Sequence, residues 1–213
     1  MPSDRGSRHG PRSLSSSRLE AFSDGVFSIA ATLLVLDIAL HPPGSPLEQV
    51  LHAWPAYLGY LVSFLTIGAA WLAHSALTDQ LARADSLLLR INLLLLLVVA
   101  FLPFPTKLVT AGLHGLEGER VYVTMYGLTL LTISLLGFAL DDYARHEHLY
   151  GRDRDTEESQ TEPRRPLPIV IGYVIGILVG LALPTLAVAL YFGIAIYLVV
   201  PFRQVARLLL RRS

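Results

Sequence analysis

There is no cysteine among the 213 residues, which excludes disulfides and thiolate-held metal sites and leaves no redox compartment to read. Charge is scarce: 16% of residues are charged against 53% hydrophobic, with a mean hydropathy of +0.51. A soluble domain of this length carries more charge and spreads its apolar residues in amphipathic stripes. Lysine is nearly missing too. Lys107 stands alone and arginine fills every other basic position, a codon bias that points to a GC-rich bacterial genome. No stretch resembles a Walker phosphate loop, a nucleophile elbow or a zinc-protease helix, so no enzyme and no cofactor are expected.

What the chain does have is apolar residues in blocks of about 20, the length that crosses roughly 30 Å of hydrocarbon. The reading is an all-α integral membrane protein with six transmembrane helices. Residues 1–17, rich in Ser, Arg, Gly and Pro, are expected to form a disordered cytoplasmic tail. Residues 18–202 form the membrane domain. Helix 1 covers about Leu19–Leu40 and ends at His41-Pro42-Pro43-Gly44; it is too long and too polar at Ser28, Thr32 and Asp37 for a cleaved signal peptide. Helix 2 covers Glu48–His74, helix 3 Ser86–Leu108 with a kink at Pro103 and Pro105, and helix 4 Arg120–Leu140. A polar cytoplasmic loop is expected over 141–166. The apolar run from Leu167 to Phe202 would measure about 54 Å as one helix, so it is read as two short helices hinged near Leu183-Pro184. Residues 203–213 form a basic tail whose Arg203, Arg207, Arg211 and Arg212 suit anionic lipid headgroups.

Six spans put both termini on one side. Nearly all the arginines then fall at the termini and in the second and fourth connections, leaving Lys107 and Arg120 opposite. By the positive-inside rule both termini are cytoplasmic, in a multi-pass protein of the plasma membrane.

The chain is organised around Arg18-Leu-Glu-Ala-Phe22-Ser23-Asp24, which runs directly into the apolar stretch Gly25–Leu40. A carboxylate at the mouth of a membrane helix is costly unless solvated or paired, which marks it as functional. At 100° per residue, Phe22, Ile29, Leu33, Leu36 and Leu40 share one face with Thr32 on its flank, while Ser23 and Asp24 point elsewhere. The aliphatic face either meets lipid or lines a pore that gates by dewetting.

Arg18-x-x-x-Phe22-Ser23-Asp24 resembles the RxxxFSD signature of the transmembrane protein 175 family of potassium channels. Tyr60, Ser63-Phe64, Trp71, His74, Asn92, Leu102-Pro103-Phe104 and Thr106 resemble that family's bacterial members. The likeness covers residues 18–140 well and 167–202 by pattern. It implies a homotetramer in which four copies of helix 1 line a potassium-permeable pore. The family's constriction positions fall on Ile29, Leu33 and Leu36, with a hydroxyl layer at Thr32. Arg18, Phe22, Ser23 and Asp24 would join Trp71, His74 and Asn92 in a polar network fixing helix 1. No Thr-Val-Gly-Tyr-Gly carbonyl filter is present, so preference for potassium over sodium must come from the apolar rings.

Other signals carry less. Gly172-x-x-x-Gly176-x-x-x-Gly180 is a helix-packing face, within or between subunits. Asp37 reads as an interfacial carboxylate, and His146-Glu147-His148 as solvated rather than metal-binding. The expected partners are copies of the chain, lipid and potassium ions, with no nucleic acid. The rival reading is a proton-coupled secondary transporter, but no internal repeat is visible and no ionisable residue lies between Gly25 and Leu36.

Overall fold

In the computed structural model, residues 16–38, 44–113, 118–151 and 166–200 are described. Among them every named element is helical: α1 Ser16–Leu33, α2 Pro46–His52, α3 Trp54–Thr78, α4 Ser86–Phe101, α5 Pro103–Leu113, α6 Glu119–His146, α7 Pro166–Gly180 and α8 Pro184–Val199. Four stretches are long and apolar enough to cross a bilayer: Ser17–Asp37, Trp54–Thr78, Ser86–Leu113 and Glu119–His146. The two shorter ones, α7 and α8, have 15 and 16 residues, or roughly 22–24 Å of helix. The expected turn at 41–43, most of the polar loop, and the basic tail with its four arginines lie outside the described residues.

Local chemistry explains the breaks. Pro103 and Pro184 each open a helix, where a missing N–H costs nothing, so α4 yields to α5 and α7 to α8 at the residues the sequence marks. Two boundaries differ from expectation. The stretch Glu48–His74 is two helices rather than one. Ser45 starts α2 with a reciprocal capping box to Glu48, and Ala53 then interrupts the winding before Pro55 in the first turn of α3. The polar segment from 141 begins as helix, because α6 runs on to His146. Leu140 and Ala144 are buried there, and Arg145 bonds back to Asp141 at 2.8 Å across one turn. At its far end α1 tightens into a single 3-10 turn, Leu34–Asp37.

In lipid, burying an apolar side chain against another helix gains no transfer energy, so close packing and interhelical hydrogen bonds decide which faces meet. The core follows that rule. Phe27 and Ala30 of α1 and Leu34 of the 3-10 turn that follows it share one core with Val62 and Ile67 of α3 and with Leu88, Leu95 and Val99 of α4. The small-residue face of α7 turns inward within the chain. A Cβ on Gly176 would lie 2.5 Å from the Tyr191 ring of α8, and one on Gly172 3.1 Å from Ile194. Gly127 of α6 receives the Tyr191 hydroxyl from the other side. Gly176→Leu is therefore expected to unpack α7 from α8 and lower the thermal midpoint of the purified protein by several degrees. Gly193→Ala, with open space around its Cβ, should leave the midpoint unchanged or slightly raised, since alanine is the better helix former.

Polar ties hold one end of the bundle together. Asp85 caps α4 through Leu88 N at 2.8 Å and accepts from the Tyr143 hydroxyl of α6 at 2.6 Å. Burial works against the Asp85 carboxylate, yet Tyr143 and the amides of Leu88 and Leu87 outweigh it and hold its pKa below the ordinary carboxylate value. The connection after α3 pairs with the chain leaving α6 through Ala82 N to Leu149 O at 2.9 Å and Gly151 N to Gln80 O at 3.0 Å. At the opposite end, Lys107 of α5 approaches Asp37 to 3.8 Å.

Candidate functional site

Helix α1 has two faces. Leu19, Ser23, Phe27, Ala30 and Leu34 recur every three or four residues and are buried. Across the axis, Phe22, Ile29, Leu33 and Leu36 are 57%, 61%, 42% and 74% exposed, and Thr32 is exposed beside them. The bulky face that helical counting groups is thus, as far as Leu36, the one that no other described helix of the chain covers; Leu40 lies outside the described residues. The Thr32 hydroxyl donates to the carbonyls of Ile29 at 2.9 Å and Ser28 at 3.1 Å. Its proton is used internally, which leaves oxygen lone pairs available to a cation.

The buried side is anchored by polar side chains that α3 and α4 bring from far away in sequence. Trp71 Nε1 donates to Asp24 Oδ1 at 2.8 Å. One turn on, His74 Nε2 meets Asn92 Oδ1 at 2.7 Å, and Asn92 Nδ2 donates to Ser23 Oγ at 3.1 Å. The spacing of three residues puts Trp71 and His74 on adjoining parts of α3, so one helix reaches both Asp24 and the Ser23 side of α1. Ser23, His74 and Asn92 are each at most 3% exposed, and the His74 ring also lies 5.4 Å from Phe27, centroid to centroid.

With the Asn92 amide nitrogen toward Ser23, its oxygen faces His74, an orientation that matches the imidazole tautomer with its proton on Nε2. His74 Nδ1 is then a buried acceptor with no hydrogen-bond partner. Trp71 to Asp24 is the charge-assisted member of the set. Arg18 is exposed and makes none of these bonds within one subunit, and Phe22 points to the open face. The network of seven expected residues is thus two separate links, Asp24 with Trp71 and Ser23 with Asn92 and His74.

A second buried hub is absent from the sequence reading. Ser63 Oγ of α3 bonds Thr106 Oγ1 of α5 at 2.8 Å and the Tyr126 hydroxyl of α6 at 2.7 Å, while Thr106 donates to Leu102 O at 2.8 Å. Ser63 and Thr106 appear in the resemblance without a role. Tyr126, one aromatic in an apolar helix, shows nothing in sequence beyond the need of a buried phenol for a partner. Asp37, read as a solvated carboxylate, faces Lys107. No cluster of three or more metal-ligating side chains occurs among the described residues, His146 and His148 included.

Comparison with known proteins agrees with this architecture. A family model described as "Endosomal/lysosomal potassium channel TMEM175" matches residues 18–103, which hold both links to α1. A potassium channel of Streptomyces collinus is 38% identical over 188 residues, covering 84% of this chain and 91% of the relative. The crystal structure of a lysosomal potassium-selective channel TMEM175 homolog from Chamaesiphon minutus superposes with a TM-score of 0.69 at 33% identity, covering 86% of this chain and 95% of that one. The Gallus gallus protein named endosomal/lysosomal proton channel TMEM175 is 40% identical over 138 residues, which span 28% of its length. The chain belongs to the TMEM175 family of ion channels.

Proposed function

We propose that this protein is one subunit of a tetrameric cation channel, permeable to potassium in preference to sodium, with a central pore lined by α1. The observation that carries the reading is the two-faced first helix: one side is pinned by Trp71 and Asn92, and the other presents Ile29, Thr32, Leu33 and Leu36 to none of the described helices of its own chain. Four such faces around an axis form rings of branched aliphatics. Water leaves a narrow apolar ring readily, so an ion must shed much of its hydration shell to pass. Potassium binds its water less tightly than sodium and is the easier of the two to strip, while a ring of Thr32 oxygens offers partial replacement. The same reading gives six spans, with α7 and α8 as short crossings and both termini cytoplasmic. Relatives named as potassium channels support it.

Recording from the purified protein in planar bilayers under a potassium/sodium gradient tests this reading. Discrete openings that reverse nearer the potassium potential are expected. Electrical silence together with substrate-dependent flux into liposomes would replace it with the transporter, and reversal that follows the proton gradient would replace potassium with protons.

Asp24→Ala is expected to reduce tetramer yield or current. The Trp71 indole N–H loses an ionised acceptor, a bond of about 1.5–3 kcal/mol when one partner is charged. Wild-type tetramer content by size-exclusion chromatography, with wild-type current, would remove Asp24 from any role in holding α1.

A further inference from the structure

A cavity of about 240 Å³ runs between α3, α6 and α7 in one half of the bundle. We infer that it holds one acyl chain of a phospholipid from the adjoining leaflet, with the lipid phosphate on Arg145 at its mouth. This rests on the membrane-spanning fold alone and does not need the channel reading.

The lining gives the cavity its position and length. On α6 it runs from Ile133 through Gly137 to Arg145, and on α3 from Thr66 through Ala73 to Leu77. At 1.5 Å per residue this is roughly 18 Å of α6. One leaflet supplies about half of a hydrocarbon core roughly 30 Å thick, so the cavity reaches from headgroup level to near the midplane. Ile169 at the start of α7 and Leu198 at the end of α8 also line it, which puts the mouth where α3 and α6 stop. Spread over that length, the volume is about one alkyl chain wide. The space exists because Ala69, Ala70 and Ala73 of α3 and Gly137 of α6 are small, and no atom lies within 4 Å of a Cβ built on Gly137.

The two ends differ in chemistry, as the two ends of a lipid do. Deep inside, the Thr66 hydroxyl donates to Val62 O at 2.8 Å within its own helix, and most of the surrounding surface is apolar. A buried water needs about two to four polar partners, whereas an alkyl chain needs only contact. At the mouth stand Arg145, Asp141, Tyr150 and Gln80. Asp141 accepts from Arg145 Nε at 2.9 Å, lies 2.8 Å from one Arg145 Nη, and accepts from the Tyr150 hydroxyl at 2.5 Å. A guanidinium carries five N–H groups, so the exposed Arg145 keeps donors for a phosphate oxygen, an acceptor its planar fork suits. Arg145 and Asp141 neutralise each other, so a zwitterionic phospholipid fits the mouth without a net charge.

The test is photolabelling of the full-length protein in phosphatidylcholine nanodiscs doped with a phosphatidylcholine that carries a diazirine on one acyl chain. Two probes are used, one with the diazirine near the chain end and one with it near the ester, and adducts are mapped by mass spectrometry. The chain-end probe is expected to mark the buried wall between Thr66 and Ala70 and between Ile133 and Gly137. The other probe should mark Leu77 to Gln80 and Leu140 to Arg145. Leu72 and Leu135, each roughly half exposed and outside the lining, serve as references for lipid elsewhere. Gly137→Leu grows a side chain into the open space and should cut the cavity adducts at least tenfold against those references. Ala73→Leu fills the opposite wall and serves if the first variant fails to fold. Arg145→Gln leaves Asp141 facing the phosphate uncompensated and should lower the cavity adducts severalfold; an unchanged yield would overturn the phosphate contact. Adducts confined to exposed residues, or cavity adducts that survive both filled walls, would overturn the site and leave the space to water or to a neighbouring copy of the chain. The readout needs no ion current, so its failure and that of the channel reading are separate results.

Discussion

Ile29→Asn is expected to lower the potassium-over-sodium permeability ratio by about tenfold, the largest functional change of any single substitution in α1. Ile29 is 61% exposed in the isolated subunit and sits one turn before Thr32. In the proposed tetramer, the substitution replaces four branched aliphatics at one level with four amides. Each amide offers an oxygen that can stand in for a lost water, and the benefit is greater for sodium, which holds its water more tightly. A tenfold fall corresponds to about 1.4 kcal/mol in relative barrier height, less than one hydrogen bond per subunit, so the size is modest for the chemistry introduced. Reversal potentials under bi-ionic potassium and sodium read the ratio directly. Thr32→Ala, which removes a hydroxyl layer rather than an apolar ring, should lower conductance with a smaller change in the ratio. An unchanged reversal potential in Ile29→Asn, with normal expression, would take Ile29 off the conduction path and return its face to lipid.

Asn92→Leu should be the most destabilising change within the anchor. The leucine keeps the branched skeleton with bulkier methyls in place of the amide, so it crowds the site somewhat, and it strands the His74 Nε2 proton and removes the donor to Ser23. Interhelical hydrogen bonds in membrane proteins average about 0.6 kcal/mol in double-mutant cycles, because the unfolded segment finds other partners in the membrane. That average is for single bonds, and at position 92 two are lost at once. Here all three residues are at most 3% exposed, and the penalty for a dry unpaired group is about 1–3 kcal/mol each. A loss of about 2–4 kcal/mol is therefore expected, measured as a fall in the denaturation midpoint of the detergent-solubilised protein. Asn92→Asp keeps an acceptor toward His74 and lets the Ser23 hydroxyl donate instead, so it should retain more stability than the leucine variant. If the two substitutions cost the same, the acceptor toward His74 contributes nothing measurable to stability. Pairing Asn92→Leu with Ser23→Ala in a cycle isolates the bond between α4 and α1.

Much of the framework is readable from the sequence because its signals are local. Pro103 and Pro184 mark helix starts through their own missing N–H, and apolar blocks mark helices by length alone. The interruption at Ala53 has the same kind of mark in Pro55, in the first turn of α3, which the reading of Glu48–His74 as one helix passes over; Ala53 itself gives no sign, since alanine favours helix. The continuation of α6 to His146 depends on Tyr143 finding Asp85, a residue of another connection. The site divides in the same way. That Ile29, Leu33 and Leu36 share a face follows from 100° per residue. That Asp24 pairs with Trp71 while Ser23 pairs with Asn92 needs the arrangement of three helices, and the list of polar residues alone does not apportion them. Tyr126 is beyond sequence reasoning because its partners, Ser63 and Thr106, come from two other helices.

The tightened turn Leu34–Asp37 bears on distance along the pore axis. In an α-helix, residues three apart are offset by about 60° around the axis, but in a 3-10 turn they come nearly into line and climb about 2 Å per residue. Leu36 is thereby drawn toward the same meridian as Leu33, about 6 Å further along. In four-fold assembly the two leucine levels would merge into one sleeve, and an ion would cross it in a single stripped passage without a rest stop between rings.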